Sequence, residues 1–190
     1  MPKPKIKVEV SARHIHLSQE HLAKLFGKNY QLTKVKNISQ PGQFAAKEKV
    51  VIAGPKVKLS VRIIGPTRPQ TQVELSATDC WNLGIKPVLR LSANLKNTPG
   101  CFILGPRGRI NLKQGVIVAQ RHLHLTPAEA KLWRLKHGDV ISLRTVGTRS
   151  ITFHQVAVRS RAGIDKMSFM LDIDEANAAG VKRGECAEII

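Results

Sequence analysis

One ten-residue stretch occurs twice in the chain. Val8-Glu9-Val10-Ser11-Ala12-Arg13-His14-Ile15-His16-Leu17 returns as Val116-Ile117-Val118-Ala119-Gln120-Arg121-His122-Leu123-His124-Leu125, with six of ten positions identical: two Val, one Arg, two His and one Leu. Each copy runs into a helix start. Ser18 and Thr126 stand as N-caps, Pro127 suits the first helical position, and Glu129 completes a capping box with Thr126. The same unit, a strand, an Arg-His-x-His-Leu motif and a capped helix, is therefore offered twice. This predicts two related half-structures facing one shared site.

The rest of the chain reads as short β segments. Residues 5–10, 50–53, 57–64, 72–75, 88–91, 115–119, 140–146 and 153–159 are β-branched and bounded by Gly or Pro. Helical signals are confined to 18–26, 126–135 and a short stretch at 175–179. Regular βαβ spacing is absent, so a barrel or sandwich with small helical caps fits better than a doubly wound sheet. Composition does not shift sharply anywhere, and 94–100 reads as a loop between the halves.

Lys and Arg number 31 against 13 Asp and Glu, a formal charge of +18. That excess favours anionic partners: nucleic acid, acidic membranes or phosphorylated metabolites. Aromatic residues are only 4%, which leaves few stacking platforms, and the basic residues are dispersed. Both facts weigh against nucleic acid. With 42% apolar and 23% charged residues the 190-residue chain can bury a core. Cys80, Cys101 and Cys186 are scattered and odd in number, the pattern of a reducing compartment. No apolar segment approaches the roughly 20 residues of a membrane span, and no secretory signal follows Met1-Pro2-Lys3-Pro4-Lys5. The expectation is a soluble, cytoplasmic protein.

Four of the seven histidines lie in the repeated motif. On a strand, residues i and i+2 share a face about 7 Å apart. His14 and His16 therefore project together, as do His122 and His124. A lone His-x-His is more often polar packing. Two copies in one repeat point instead to metal binding, because convergent bare imidazoles are costly to desolvate. Glu74, alternating with Val73 and Leu75, is the candidate anionic ligand; an exposed strand carboxylate is the plain alternative. His21 and His137 read as surface residues, and His154 has no assigned role. In Gly65-Pro66-Thr67-Arg68-Pro69 an arginine flanked by prolines suits bidentate recognition of phosphate, with a solvated arginine as the alternative. Gly105-Pro106-Arg107-Gly108-Arg109 reads as a hairpin tip. No GxxxxGK[ST] and no GxGxxG occurs, so nucleotide hydrolysis and dinucleotide binding lack support.

Together these motifs resemble the PduL-type phosphotransacylases (phosphate propanoyltransferases). The likeness rests on V-S-A-R-H-I-H-L at 10–17, S-Q-P-G-Q-F-A at 39–45, G-P-T-R-P-Q-T-Q-V-E-L at 65–75, T-D at 78–79, L-G-I at 83–85, G-V-I-V-A-Q-R-H-L-H-L-T-P at 115–127 and D-E-A-N-A-A-G at 174–180. It implies a mostly β fold of two β-barrels capped by short helices, with the active site between them. One domain would combine 1–12 with 121–190; the other would span 13–120. It also implies two divalent metal ions, usually zinc, beside bound coenzyme A, and a homodimer.

Residue by residue, the resemblance gives His14 and His16 to a metal that also takes the coenzyme A sulfur. Glu74, His122 and His124 go to a second metal. Arg68 matches the phosphate-binding, catalytic arginine. Val10, Ser11, Ala12, Lys56, Arg62 and Asn177 match positions approaching coenzyme A. The implied reaction interconverts a short-chain acyl-CoA plus phosphate with acyl phosphate plus coenzyme A. One position departs from the family. Met170 stands where a third histidine ligates the second metal, seven residues before Asn177. A thioether is a poor zinc ligand. Water filling the gap, substitution by His154 or Asp172, or weak binding of the second metal are the open outcomes, and core packing is the plain role of the side chain. The extra N-terminal segment of microcompartment-targeted members has no match, which favours a free cytoplasmic enzyme. Two rival readings are a catalytically impaired member that binds coenzyme A or metal, and a basic nucleic-acid-binding protein.

Overall fold

The computed structural model describes residues 5–182 and 184–190; the start of the chain, Met1 to Pro4, lies outside them. In chain order the elements are β1 (Ile6–Ser11), β2 (His14–His16), α1 (Gln19–Phe26), β3 (Lys34–Asn37), β4 (Phe44–Ala53), β5 (Lys58–Gly65), β6 (Gln72–Leu75), α2 (Ala77–Leu83), β7 (Leu89–Arg90), β8 (Cys101–Leu104), β9 (Arg109–Leu112) and β10 (Val116–Ala119). There follow β11 (His122–Leu125), α3 (Pro127–Leu132), β12 (Val140–Thr145), β13 (Thr152–Ser160), β14 (Ser168–Asp172), α4 (Ile173–Ala178) and β15 (Cys186–Ile189). The mostly β architecture with a few short helices is as expected.

The chain divides into two compact units: Met1–Ser11 with Ser39–Pro41 and Gln120–Ile190, and Ala12–Ile38 with Gly42–Ala119. In the first unit β1-β14-β11-β13-β12-β15 close into a barrel. In the second, β7-β10-β6-β2-β5-β4-β8-β9 form a curled, half-barrel sheet with β3 beside β4. Its two end strands do not join, so the ladder stays open where the barrel closes.

The two histidine motifs are built alike. β2 lies antiparallel to β6, with His14 opposite Glu74 and His16 opposite Gln72. β11 lies antiparallel to β14, with His122 opposite Met170 and His124 opposite Ser168. β2 runs parallel to β5, and β11 parallel to β13. The strands before the motifs are exchanged: β1 runs parallel to β14, and β10 parallel to β6. The duplication read from ten residues is thus a duplication of whole sheet segments.

Period-two alternation explains each motif strand. Ile15, Leu17, Leu123 and Leu125 are completely buried, each contributing about 1.5–3 kcal/mol by leaving water. Ile15 and Leu17 join one apolar core with Ile52, Ile63 and Leu83. Leu123 and Leu125 join a second core with Ile6, Phe169 and Leu171. The histidines are left to the opposite face.

Helix termini follow capping chemistry. The Ser18 hydroxyl accepts from the His21 amide, and Thr126 with Glu129 forms the expected capping box. α3 stops at Leu132, short of the expected 135, because Trp133 leaves the helix and Arg134 turns to φ +56°. α2 has no counterpart in the expected helices. Ser76 caps it by accepting from the Asp79 amide, and Gly84 ends it at φ +74°, a left-handed conformation that glycine adopts without strain. The basic turn at 105–109 joins β8 to β9, as expected for a hairpin tip. It is docked rather than free: the Arg107 amide donates to Leu25 O at 3.0 Å.

Candidate metal and phosphate site

In the open-sheet unit, β2 and β6 bring His14, His16 and Glu74 together. One ligand atom from each lies within 4.8 Å of the others. The imidazoles pack edge to face with centroids 5.0 Å apart. His14 Nδ1 meets Ala12 O at 2.9 Å and His16 Nδ1 meets Ile64 O at 3.0 Å. A carbonyl only accepts, so each Nδ1 carries the hydrogen and each Nε2 presents a lone pair in the neutral ring. Those Nε2 atoms face the Glu74 carboxylate at 3.6 and 3.9 Å. Two imidazole nitrogens and one carboxylate, each oriented by its own backbone or side-chain contact, suit a borderline divalent cation.

The electrostatics agree. Burial works against the Glu74 carboxylate, but His14, His16 and Arg68 outweigh it and hold its pKa well below the usual range. Burial likewise opposes charge on His14, and Glu74 outweighs it, raising that pKa. Burial, with His14 and Arg68, pushes His16 well below its ordinary value. The set keeps an anionic carboxylate beside a neutral His16.

Arg68 belongs to the same cluster. Its backbone N–H donates to Leu17 O at 2.9 Å. Its guanidinium donates to Ser92 Oγ at 3.2 Å and to Gln43 Oε1 at 3.3 Å. Sequence reasoning overlooked Gln43, Gln72 and Ser92. Gln43 and Gln72 lie inside the quoted motif stretches, but nothing in the spacing singled them out.

In the barrel unit, His122 and His124 pack edge to face at 4.6 Å, with their Nε2 atoms 3.0 Å apart. His122 Nδ1 meets Gln120 O, and His124 Nδ1 meets Asp165 Oδ1, both at 2.7 Å. Both Nδ1 atoms face acceptors, so both Nε2 atoms are lone-pair donors directed at one point. Such an approach suits a shared cation or proton. Asp165 is fully buried at its side chain and is held bidentately by Arg161 at 2.9 Å. Burial lowers the His124 pKa, with Asp165 opposing. Burial tends to raise the Asp165 pKa, but Arg161 and His124 outweigh it and keep the carboxyl ionised. Asp165 was not among the sequence candidates; it lies 41 residues from His124 in a turn without motif character.

Other candidates fall where they can be described singly. Glu74 was grouped by resemblance with His122 and His124; its direct neighbours are His14 and His16. Met170 Sδ accepts from Ser168 Oγ at 3.7 Å. Asp172 caps α4 by accepting from the Glu175 amide, and exposed His154 pairs through Nδ1 with Ser142 Oγ at 2.7 Å. His137 is exposed as expected, whereas His21 is half-buried, with Nδ1 2.7 Å from Thr71 Oγ1. Val10 and Ser11 end β1 beside Leu171 and Asp172, at the strand that leads into the helix of Asn177. Ala12, exposed Lys56 and Arg62 belong to the open-sheet unit. Arg62 lies opposite His14 and donates to Ala46 O at 2.7 Å.

The fold and donor sets define a class: a mostly β protein with duplicated imidazole pairs suited to divalent cations. Comparison with known proteins makes this specific. The family model described as phosphate propanoyltransferase matches residues 7–182. The chain is 45% identical over 190 residues to the phosphate propanoyltransferase of Thermotoga maritima, covering 99% of this chain and 90% of that protein. It is 46% identical over 183 residues to the one from Sebaldella termitidis, covering 96% and 86%. It is 42% identical over 187 residues to that of Listeria monocytogenes, covering 97% and 87%. The chain belongs to the phosphate propanoyltransferase family, a family of phosphate acyltransferase enzymes.

Proposed function

We propose that the chain interconverts a short-chain acyl-CoA plus inorganic phosphate with acyl phosphate plus coenzyme A. The observation that carries this is the junction of His14, His16 and Glu74 with Arg68 in one hydrogen-bonded cluster. On this reading, a group that would hold sulfur or carbonyl oxygen and a group that would hold phosphate are neighbours.

His14, His16 and Glu74 would hold one divalent ion, best zinc, and His122 and His124 would hold a second. Such ions supply Lewis-acid polarisation of the thioester and a resting place for the departing thiolate. The protein's own work is orientation. Ala12 O and Ile64 O fix the imidazole tautomers. Arg68, whose guanidinium donates to Ser92 Oγ and Gln43 Oε1, would turn its fork of donors to a phosphate oxygen pair. Positioning phosphate turns a bimolecular encounter into an intramolecular one. Cys80 and Cys101 are buried, burial pushes the Cys101 thiol up to about 12, and none of the three cysteines, half-buried Cys186 included, lies in a motif, so phosphate itself is taken as the nucleophile. Val10, Ser11, Ala12, Lys56, Arg62 and Asn177 are the proposed coenzyme A contacts. The basic surface speeds capture of both polyanions.

The remaining assignments follow the same reading: two domains, 1–12 with 121–190 and 13–120, a homodimer, and a cytoplasmic site. The scattered free cysteines support the last.

The test is thiol release from acetyl- or propanoyl-CoA with phosphate. Turnover sensitive to chelators and restored by zinc is expected. Metal-loaded protein without turnover on any short acyl-CoA overturns the proposal. Arg68→Ala is expected to raise the phosphate KM at least tenfold, and an unchanged KM removes Arg68 from the phosphate site.

A further inference from the structure

We propose that Ser92, oriented by Gln72, is a positioning residue that couples the Arg68 guanidinium to the Glu74 carboxylate; this rests on the function proposed above for Arg68 and Glu74. The hydroxyl of Ser92 sits at the crossing of three contacts. Arg68 Nη1 donates to it at 3.2 Å, Gln72 Nε2 donates to it at 2.8 Å, and it donates to Glu74 Oε1 at 3.2 Å. A serine hydroxyl has one hydrogen and two lone pairs. Here the carboxylate is the one partner that only accepts, so the hydrogen goes to Glu74 and both lone pairs face the donors. The hydroxyl is saturated and has one orientation.

Gln72 is oriented with equal definition. The Ala93 backbone N–H donates to its Oε1 at 2.7 Å, which fixes the amide and turns Nε2 towards Ser92 and Glu74. Ala93 itself has φ +80°, a left-handed backbone conformation that a residue with a Cβ adopts only under strain. Gln72 thus holds a strained turn that carries Ser92. Gln72 also lies opposite His16 in the β2–β6 ladder. The relay thus runs from β6, which carries Gln72 and Glu74, to Ser92 in the turn after β7. Its consequence is that Arg68 and Glu74 do not reorient independently: pulling the guanidinium towards phosphate shifts the acceptor load on Ser92 and, through it, the carboxylate.

The test measures cobalt(II) affinity by chelator competition and phosphate KM against kcat, on the full chain. Ser92→Ala is expected to weaken cobalt binding at least fivefold and raise phosphate KM at least fivefold, with the circular dichroism spectrum and melting profile of the metal-free protein retained. Ser92→Thr, which keeps the hydroxyl, restores both. In metal affinity, the effect of Arg68→Ala shrinks in the Ser92→Ala background. Cobalt affinity and phosphate KM both within twofold of the parent for Ser92→Ala, or an Arg68 effect undiminished without Ser92, overturns the coupling. A parent without acyltransferase activity defeats the function above and leaves the cobalt measurements to decide the relay.

Discussion

Glu74 and Met170 occupy the same position in the two halves of the molecule. Each stands opposite the first histidine of an Arg-His-x-His motif, His14 or His122, on an antiparallel neighbour. Each precedes by two residues the N-cap of a helix, Ser76 or Asp172. The third residue of each helix is an acid that pairs with the arginine of the facing motif: Asp79 with Arg13 at 2.8 Å, and Glu175 with Arg121 at 2.6 Å. The halves therefore share a scaffold and differ at this position, carboxylate in one and thioether in the other.

That difference predicts unequal metal sites. Zinc titration of metal-free protein is expected to show one tight site and one weaker by at least tenfold, because a thioether contributes little to zinc binding. Met170→His is expected to tighten the weaker site and raise turnover. Two equal sites in the parent, or no gain in affinity from the substitution, would exclude Met170 as the cause.

Asp165 should govern the barrel-unit pair through His124. Its carboxylate accepts from His124 Nδ1 and leaves Nε2 as the donor atom. Asp165→Asn removes the charge and is expected to lower metal affinity there about 10–100-fold. Chelator competition measures it, with His14→Ala as the control that removes the other site.

The Arg13–Asp79 pair is read as scaffold. Asp79 is buried while Arg13 is partly exposed. Asp79→Ala therefore strands no charge in the core but removes the N3 acid of α2 and its arginine contact. A loss of about 1–2 kcal/mol is expected in urea denaturation of the metal-free protein. Arg13→Ala leaves the buried Asp79 carboxylate without its arginine and is expected to cost more.

Glu48 should give the stability of the open-sheet unit a pH dependence. It accepts from the Thr33 backbone N–H at 3.0 and 3.1 Å and from the Tyr30 hydroxyl at 3.0 Å. Burial tends to raise its pKa, but these donors outweigh it and bring the pKa below the ordinary value. A carboxyl lowered in the folded state stabilises fully above its unfolded pKa, and that stability is lost as pH falls through the folded pKa. Glu48→Gln is expected to cost about 1–2 kcal/mol at pH 7. The gap should narrow on acidification below the ordinary carboxyl range. Denaturation midpoints at pH 7 and pH 3 decide it, and a gap independent of pH assigns the cost to packing.

The ten-residue repeat made the duplicated strand and imidazole pairs legible, because period two fixes which residues share a face without reference to anything distant. Ser18, Thr126 and Pro127 announced two helix starts for the same local reason. α2 escaped notice although Ser76, Asp79 and Gly84 mark both its ends, since seven residues give a helical period too little room to declare itself. The exchange of β1 and β10 between units, and the closure of one ladder but not the other, depend on pairing between strands far apart in sequence. So does the company each ligand keeps. Spacing placed Glu74 on a strand; only the register of β6 against β2 set it beside His14. Asp165 and Ser92 carry no periodic or motif signal, and nothing in the spacing of its stretch singles out Gln43. Each reaches the cluster of its own unit because folding closes long loops, and a hydrogen bond across such a loop leaves no trace in local sequence.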